Sequence, residues 1–194
     1  MTDIPHKLNV VIADDEPEML EYVTHLVTRA GHRVVGVAEN GVQLITQHRK
    51  HSPDLIITDV RMPELDGIEA ATRCFIERPV AIIVISAHHD PELIQRATND
   101  HVLAYLVKPI KATDLEPAMS IAMQRFREFQ ALHQHAASLE QAMEDRKIVE
   151  RAKGLLMRRS NLSEPDAFRE LQLLSSRENA RMVDVARRIV SADP

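Results

Sequence analysis

Cysteine is almost absent: Cys74 is the only one in 194 residues. That excludes an intramolecular disulfide framework and any multi-cysteine zinc or iron–sulfur site. Long apolar runs are missing as well. None approaches the roughly 20 residues needed to span a bilayer, so no membrane-embedded segment is expected. The N-terminus, MTDIPHKLNVVIADDE, lacks a basic stretch followed by a long apolar one, so a secretory signal is not expected and cytoplasm is the default compartment. What is present is ordinary for a globular chain and too apolar for a disordered one: 44% apolar and 27% charged residues. The net charge of −5 is unevenly placed. Residues 1–145 carry 13 Lys and Arg against 22 Asp and Glu, whereas residues 146–194 carry 11 against 7. An acidic front and a basic end suggest two jobs, the second directed at a polyanion. The competing reading of the basic end is a helical surface laced with ion pairs.

Five short runs rich in β-branched or other apolar residues lie at 8–13, 33–38, 54–58, 80–85 and 103–107. Continuous apolar runs of this length fit strands of a parallel sheet buried on both faces. Amphipathic stretches at 18–29, 42–50, 67–76, 91–98 and from Ala112 alternate with them. The pattern predicts an α/β fold with a five-stranded, doubly wound parallel sheet. From Ala112 to about Arg159 no glycine precedes Gly154, and Pro117 is the one proline, which reads as one long helix. Met119, Ala122, Phe126 and Phe129 recur at heptad-like spacing. The seam then resumes one step out of register at Leu132, Ala136, Leu139 and Met143, as at a stammer. A projecting, partly self-pairing coiled coil is expected; the other reading is an amphipathic helix folded back on its own domain. The remainder predicts a small three-helix all-α domain. Its first helix, 146–158, stands alone or continues the long one, with Asn161 as a left-handed stop. Ser163 caps a helix over 167–174 that carries Phe168, Leu171 and Leu174 on its core face, and a third helix covers 182–190.

In a parallel α/β sheet chemistry gathers at the carboxyl ends of the strands. There the sequence places Asp14 and Asp15 after the first strand, Asp59 after the third, Ser86 after the fourth and Lys108 after the fifth. Three carboxylates at short range repel one another and favour a hard divalent cation such as Mg²⁺. A carboxylate facing a hydroxyl and a lysine can attack a phosphoryl donor while the neighbours neutralise the transferring oxygens.

The motifs ADDEP, TDVRMPELDG, SAHHD and YLVKP resemble the receiver domain of two-component response regulators, with its flavodoxin-like fold, over about residues 7–125. The resemblance implies that Asp59 is the phosphoacceptor, phosphorylated by a sensor histidine kinase. Asp14, Asp15, Asp59 and the carbonyl of Arg61 would hold Mg²⁺. Ser86, with Ala87 beside it, would bind the phosphoryl oxygens, Lys108 would pair with them, and Tyr105 would be the switch aromatic. A cis Lys108–Pro109 bond is implied too. His88 and His89 lie on the loop that varies among receivers.

Residues 146–194 hold no nucleophile–base arrangement, so the end of the chain is expected to bind rather than catalyse, and the receiver acts once on itself rather than as an enzyme. The basic residues Lys147, Arg151, Lys153, Arg158, Arg159, Arg177, Arg181, Arg187 and Arg188 suit phosphate neutralisation. With Phe168 assigned to the core, base stacking on an aromatic is not expected. Ala152 and Gly154 would admit close approach of a ligand, or else allow tight helix packing. AKGLLM, LSEPDAF and DVA resemble the ANTAR domain, an RNA-binding output of bacterial antitermination regulators, over about residues 139–190. That resemblance implies a homodimer recognising paired RNA hairpins, with Ala152, Lys153, Gly154, Arg158 and Arg181 at the RNA. The expected organisation is a receiver at 1–125, a coiled-coil linker at 126–145 and a three-helix RNA-binding domain at 146–194. The competing functions are a DNA-binding regulator, for which no recognition helix with base-reading residues is evident, and a phosphorylation-dependent protein-interaction module.

Overall fold

The computed structural model describes residues 7–87 and 102–192. The expected helix at 91–98 and the residues His88 and His89 lie outside them. The chain divides into two compact units, Met1–Phe129 and Gln130–Pro194.

The first unit contains β1 (Asn9–Ala13), α1 (Pro17–Arg29), β2 (Arg33–Ala38), α2 (Gly41–His51), β3 (Leu55–Asp59), α3 (Gly67–Glu77), β4 (Ala81–Ser86), β5 (Ala104–Val107) and the first part of α4 (Ala112–Ser160). All strand pairs are parallel, in the order β2-β1-β3-β4-β5. Every residue of β3 and β4 is buried, as their unbroken apolar runs require, while the outer strands β2 and β5 are only partly covered. β3 and β4 each extend one residue beyond the apolar run, because the ladder pairs Asp59 with Ile85 and Ser86 with Val107. Asp59 and Ser86 are therefore the last residues of their strands, held by the ladder itself. The helices start where the sequence supplies caps. Asn40 accepts from Gln43 N and Asp66 from Glu69 N, while Pro17 occupies the first turn of α1, where its missing N–H has no partner to lose.

The long helix resolves the out-of-register seam. Leu115, Ala118, Met119, Ala122 and Phe126 are buried in the core of the sheet unit, and Phe129 packs against it. Phe129 meets Phe75 of α3 edge-on, with ring centroids 5.2 Å apart. The first half of the seam is thus folded onto its own unit, and Phe126 and Phe129 are core residues rather than part of a self-pairing linker. Leu132, Leu139 and Met143 are 70%, 55% and 62% exposed. The change of register marks where α4 stops covering the sheet and is not a stammer within one coiled coil.

In the second unit, 146–158 is the continuation of α4, which ends at Ser160 with Asn161 in the left-handed region at φ 50°. It is followed by α5 (Glu164–Glu178) and α6 (Met182–Ser191). Ser163 caps α5 by accepting from Asp166 N, so the helix begins three residues earlier than expected; it ends at Asn179, again left-handed. A small core of Ala152, Leu171, Val185 and Ala186 is flanked by Ile148, Leu156, Leu174 and Ile189. Phe168 does not belong to it. The residue is 39% exposed, and Ala167 is the fully buried one beside it. Leu171 is the fully buried side chain that α5 contributes to this core.

Candidate functional site

The sheet order reverses at β1, so the crevice at the carboxyl ends of β1 and β3 is the switch point where ligands of such folds bind. Asp14, directly after β1, is buried and tied down. Its N–H donates to Ala38 O (3.1 Å), and its Oδ1 accepts from Glu16 N at 3.0 Å. Asp59, ending β3, accepts from Arg61 N at 2.6 Å through Oδ2. Lys108, following β5, places Nζ 2.8 Å from Asp59 Oδ1 and 2.9 Å from Asp14 Oδ2. The Lys108 backbone N–H donates to Ser86 O (2.8 Å), the Lys108–Pro109 peptide is cis, and Tyr22 Oη donates to Ile110 O at 2.7 Å. The lysine is therefore fastened to β4 on one side and to α1 just beyond the cis bond. Ser86 is buried at the end of β4 and Tyr105 half-buried on β5.

The crevice is electrostatically tense. Burial pushes the Asp59 carboxyl above its ordinary value, and the Lys108 and Arg61 donors only partly offset it; the Asp14 charge adds to the upward push. Burial also works against the Lys108 ammonium, but its bonds to Asp59 and Asp14 outweigh this and hold its pKa above the usual range. Asp14 and Asp59 meet on Lys108, Asp15 is exposed, and among the described residues no three His, Cys, Asp or Glu form a metal-holding group. One ammonium between two buried carboxylates leaves the crevice with an excess of negative charge. Gly67 explains why the loop after β3 can fold so tightly. A Cβ there would lie 1.7 Å from Asp59 O, and its N–H donates to Val60 O at 2.9 Å.

The basic residues of the second unit divide sharply. Lys147, Arg181 and Arg187 pair with Glu144, Asp184 and Asp145, and Arg188 pairs with Glu178. Lys153 is the most enclosed. It is 8% exposed, with Nζ 2.9 Å from Glu150 Oε2 and 2.8 Å from Glu164 Oε1. The bonds to Glu164 and Glu150 raise its pKa, and Lys153 in turn lowers that of Glu164. Arg151, Arg158 and Arg177 are left exposed without an ion pair among the described residues. Of the two small residues, Ala152 is completely buried in the three-helix core and offers no surface to a ligand. Gly154 is the opposite case, for an added Cβ would meet nothing within 4 Å. Sequence reading missed Glu150, Glu164 and Phe168. The i,i+3 spacing of Glu150 and Lys153 was a usable signal, whereas Glu164 reaches Lys153 only through the fold.

A buried aspartate, a second aspartate, a hydroxyl and a clamped lysine at the carboxyl edge of a 2-1-3-4-5 parallel sheet define a receiver-type signalling module. Residues 10–120 match the family model described as the response regulator receiver domain, and residues 137–190 match the ANTAR domain. The chain belongs to the two-component response regulators that couple a receiver to an ANTAR domain, and it acts as an RNA-binding transcription antiterminator. It is 40% identical to the transcriptional regulatory protein PdtaR of Mycobacterium tuberculosis over 177 residues, covering 91% of this chain and 86% of that protein. The receiver domain of the response regulator NarL from Mycobacterium tuberculosis superposes with a TM-score of 0.59 at 30% identity, over 62% of this chain and 98% of that one. The isolated receiver of RcsB from Salmonella enterica, solved with the phosphomimetic BeF₃⁻, gives a TM-score of 0.55 at 25% identity over 62% and 99% of the two chains. A histidine kinase upstream and RNA downstream follow from this architecture. Among the described residues no helix is long and apolar enough to cross a membrane.

Proposed function

We propose that Asp59 receives a phosphoryl group from a histidine kinase, and that this modification controls how a homodimer of the chain binds paired RNA hairpins. The observation that carries the proposal is the double fastening of the Asp59 carboxylate. Oδ2 is pinned by Arg61 N–H and Oδ1 by Lys108 Nζ, inside a crevice whose burial raises its basicity. An ionised carboxylate of raised pKa is a better nucleophile than a free one. It forms the new O–P bond as the P–N bond to the kinase histidine breaks, and the leaving imidazole takes up a proton. Lys108 follows the charge from the carboxylate to the transferred phosphoryl oxygens, and the Ser86 hydroxyl donates to them. Tyr105, which pairs in the ladder with Val84 two residues before Ser86, turns inward, and the change passes through β5 into α4.

The donors available for a cation are carboxylate oxygens of Asp14, Asp15 and Asp59 and the Arg61 carbonyl, a hard all-oxygen set that suits Mg²⁺. Burial and the excess of negative charge around Asp59 favour such an ion, provided Lys108 yields part of its hold on Asp14. Bound there, Mg²⁺ would supply charge neutralisation on the phosphoryl oxygens.

The exposed seam of Leu132, Ala136, Leu139 and Met143 supports self-pairing as a coiled coil, since apolar side chains at this spacing gain by burial against a second copy. Arg151, Lys153, Arg158 and open Gly154 remain as candidate contacts to the RNA, Arg181 would first have to leave Asp184, and the compartment is the cytoplasm. Incubation with acetyl phosphate and Mg²⁺, followed by intact-mass measurement, tests the central claim. One phosphoryl adduct on the wild type and none on Asp59→Ala is expected; equal modification of both would falsify it.

A further inference from the structure

An open groove of about 340 Å³ lies in the second unit, lined by Lys153, Glu164, Pro165 and Phe168. We infer that it receives one unstacked nucleobase of an RNA hairpin, with the ring stacked on Phe168 and its edge hydrogen-bonded by Lys153 and Glu164. The inference rests on the RNA-binding function and adds a contact that charge alone would not reveal. Its volume falls within the range of small-ligand clefts, about 300–1,000 Å³.

Three observations decide what enters. The Phe168 ring is exposed although it belongs to a helix whose apolar face has a core available, so its outer surface is free to stack. Lys153 is enclosed between two carboxylates, Glu150 and Glu164, which makes the local charge negative. A phosphate would be repelled there; a neutral planar group would not. Lys153 can only donate and Glu164 only accept, and the Glu164 side chain remains 65% exposed. A wall offering a donor and an acceptor side by side, next to an aromatic face, complements the hydrogen-bonding edge of a base splayed out of a loop. Phosphates would instead meet Arg151 and Arg158, which have no ion pair among the described residues. Reading of the base and neutralisation of the backbone are thus divided between different side chains.

The test uses the full-length protein and a tandem-hairpin RNA selected from a pool with randomised loops for tightest binding to the wild type. Phe168→Ala should weaken binding about tenfold or more, the usual size of one base–aromatic stack. Phe168→Tyr should bind like the wild type and Phe168→Leu should not, which separates stacking from simple apolar packing even if the alanine variant folds poorly. Replacing loop bases one at a time by abasic sites should reveal one position whose loss weakens the wild type but adds nothing to the Phe168→Leu defect. Wild-type affinity in Phe168→Leu, or additive losses at every loop position, would overturn the inference. Tight binding of a protein ligand in the groove, with RNA affinity independent of Phe168, would overturn it too. Failure of the wild type to select any RNA would instead strike the RNA-binding function on which the inference rests.

Discussion

Lys108 and Lys153 are each held by two carboxylates, yet the two clamps are built on opposite terms. In the sheet crevice the carboxylates are buried along with the lysine; the side chains of Asp14, Asp59 and Lys108 are 2%, 9% and 14% exposed. In the helical unit only the lysine is enclosed, while Glu150 and Glu164 remain 53% and 65% exposed. Charges that have lost their water depend on one another, whereas exposed ones keep a competitive alternative in solvent. The first arrangement suits a site whose charge must change by chemistry. The second suits a surface that can open to a ligand at little cost.

Removing the buried lysine should have the largest effect. Lys108→Ala leaves Asp14 and Asp59 facing each other without a cation, a loss of about 3–5 kcal/mol in unfolding of the sheet unit. Denaturant titration checks this, and added Mg²⁺ should recover part of the loss. A variant as stable as the wild type would show that the crevice is wetter than its burial implies.

The two glycines sharpen the same contrast. Gly67→Ala forces a methyl group against Asp59 O, so a cost of about 1–3 kcal/mol and slower phosphorylation are expected. Gly154→Ala meets open space on a helix and should raise stability by about 0.5–1 kcal/mol. If RNA approaches the backbone there, the same substitution lowers RNA affinity while thermal stability rises.

The smallest effects are those of pH, and their signs are opposite. Asp59 has a raised pKa in the folded state, so its contribution to stability is complete below the ordinary value of 3.8 and is lost as pH rises through the folded value. Asp59→Asn should therefore melt higher than the wild type at pH 7, with the difference closing in acid. Glu164 has a lowered pKa, so its contribution is present above the ordinary value of 4.5 and is lost as pH falls through the folded one. Glu164→Gln should melt slightly lower at pH 7 and converge with the wild type in acid. Parallel pH series of melting curves for both variants would expose a reversed sign in either.

The strand ends were readable from the chain because an apolar run followed by Asp, Ser or Lys carries both the strand and its functional terminus. Asp14, Asp59, Ser86 and Lys108 consequently lie together as expected. The caps at Asn40, Asp66 and Ser163 are local side-chain-to-backbone bonds, and such bonds depend only on near neighbours in sequence. Phe168 was misassigned because apolarity does not say which of two adjacent helix positions faces the core. Ala167 is the fully buried one, while Phe168 stays outside the core. Ala152 and Gly154 looked alike as small residues; one fills the core and the other borders open space.

Periodicity, caps and strand-end polar residues were determined by the sequence itself, because each arises from contacts within a few residues or from the repeat of a helix or strand. Which apolar seam of α4 is covered, which acid meets which lysine, and which ring is left in solvent were decided only by the tertiary structure. Those outcomes depend on the distance and burial of groups far apart in the chain. A charge or a phenyl ring acquires its energetic meaning from the neighbours that replace its water.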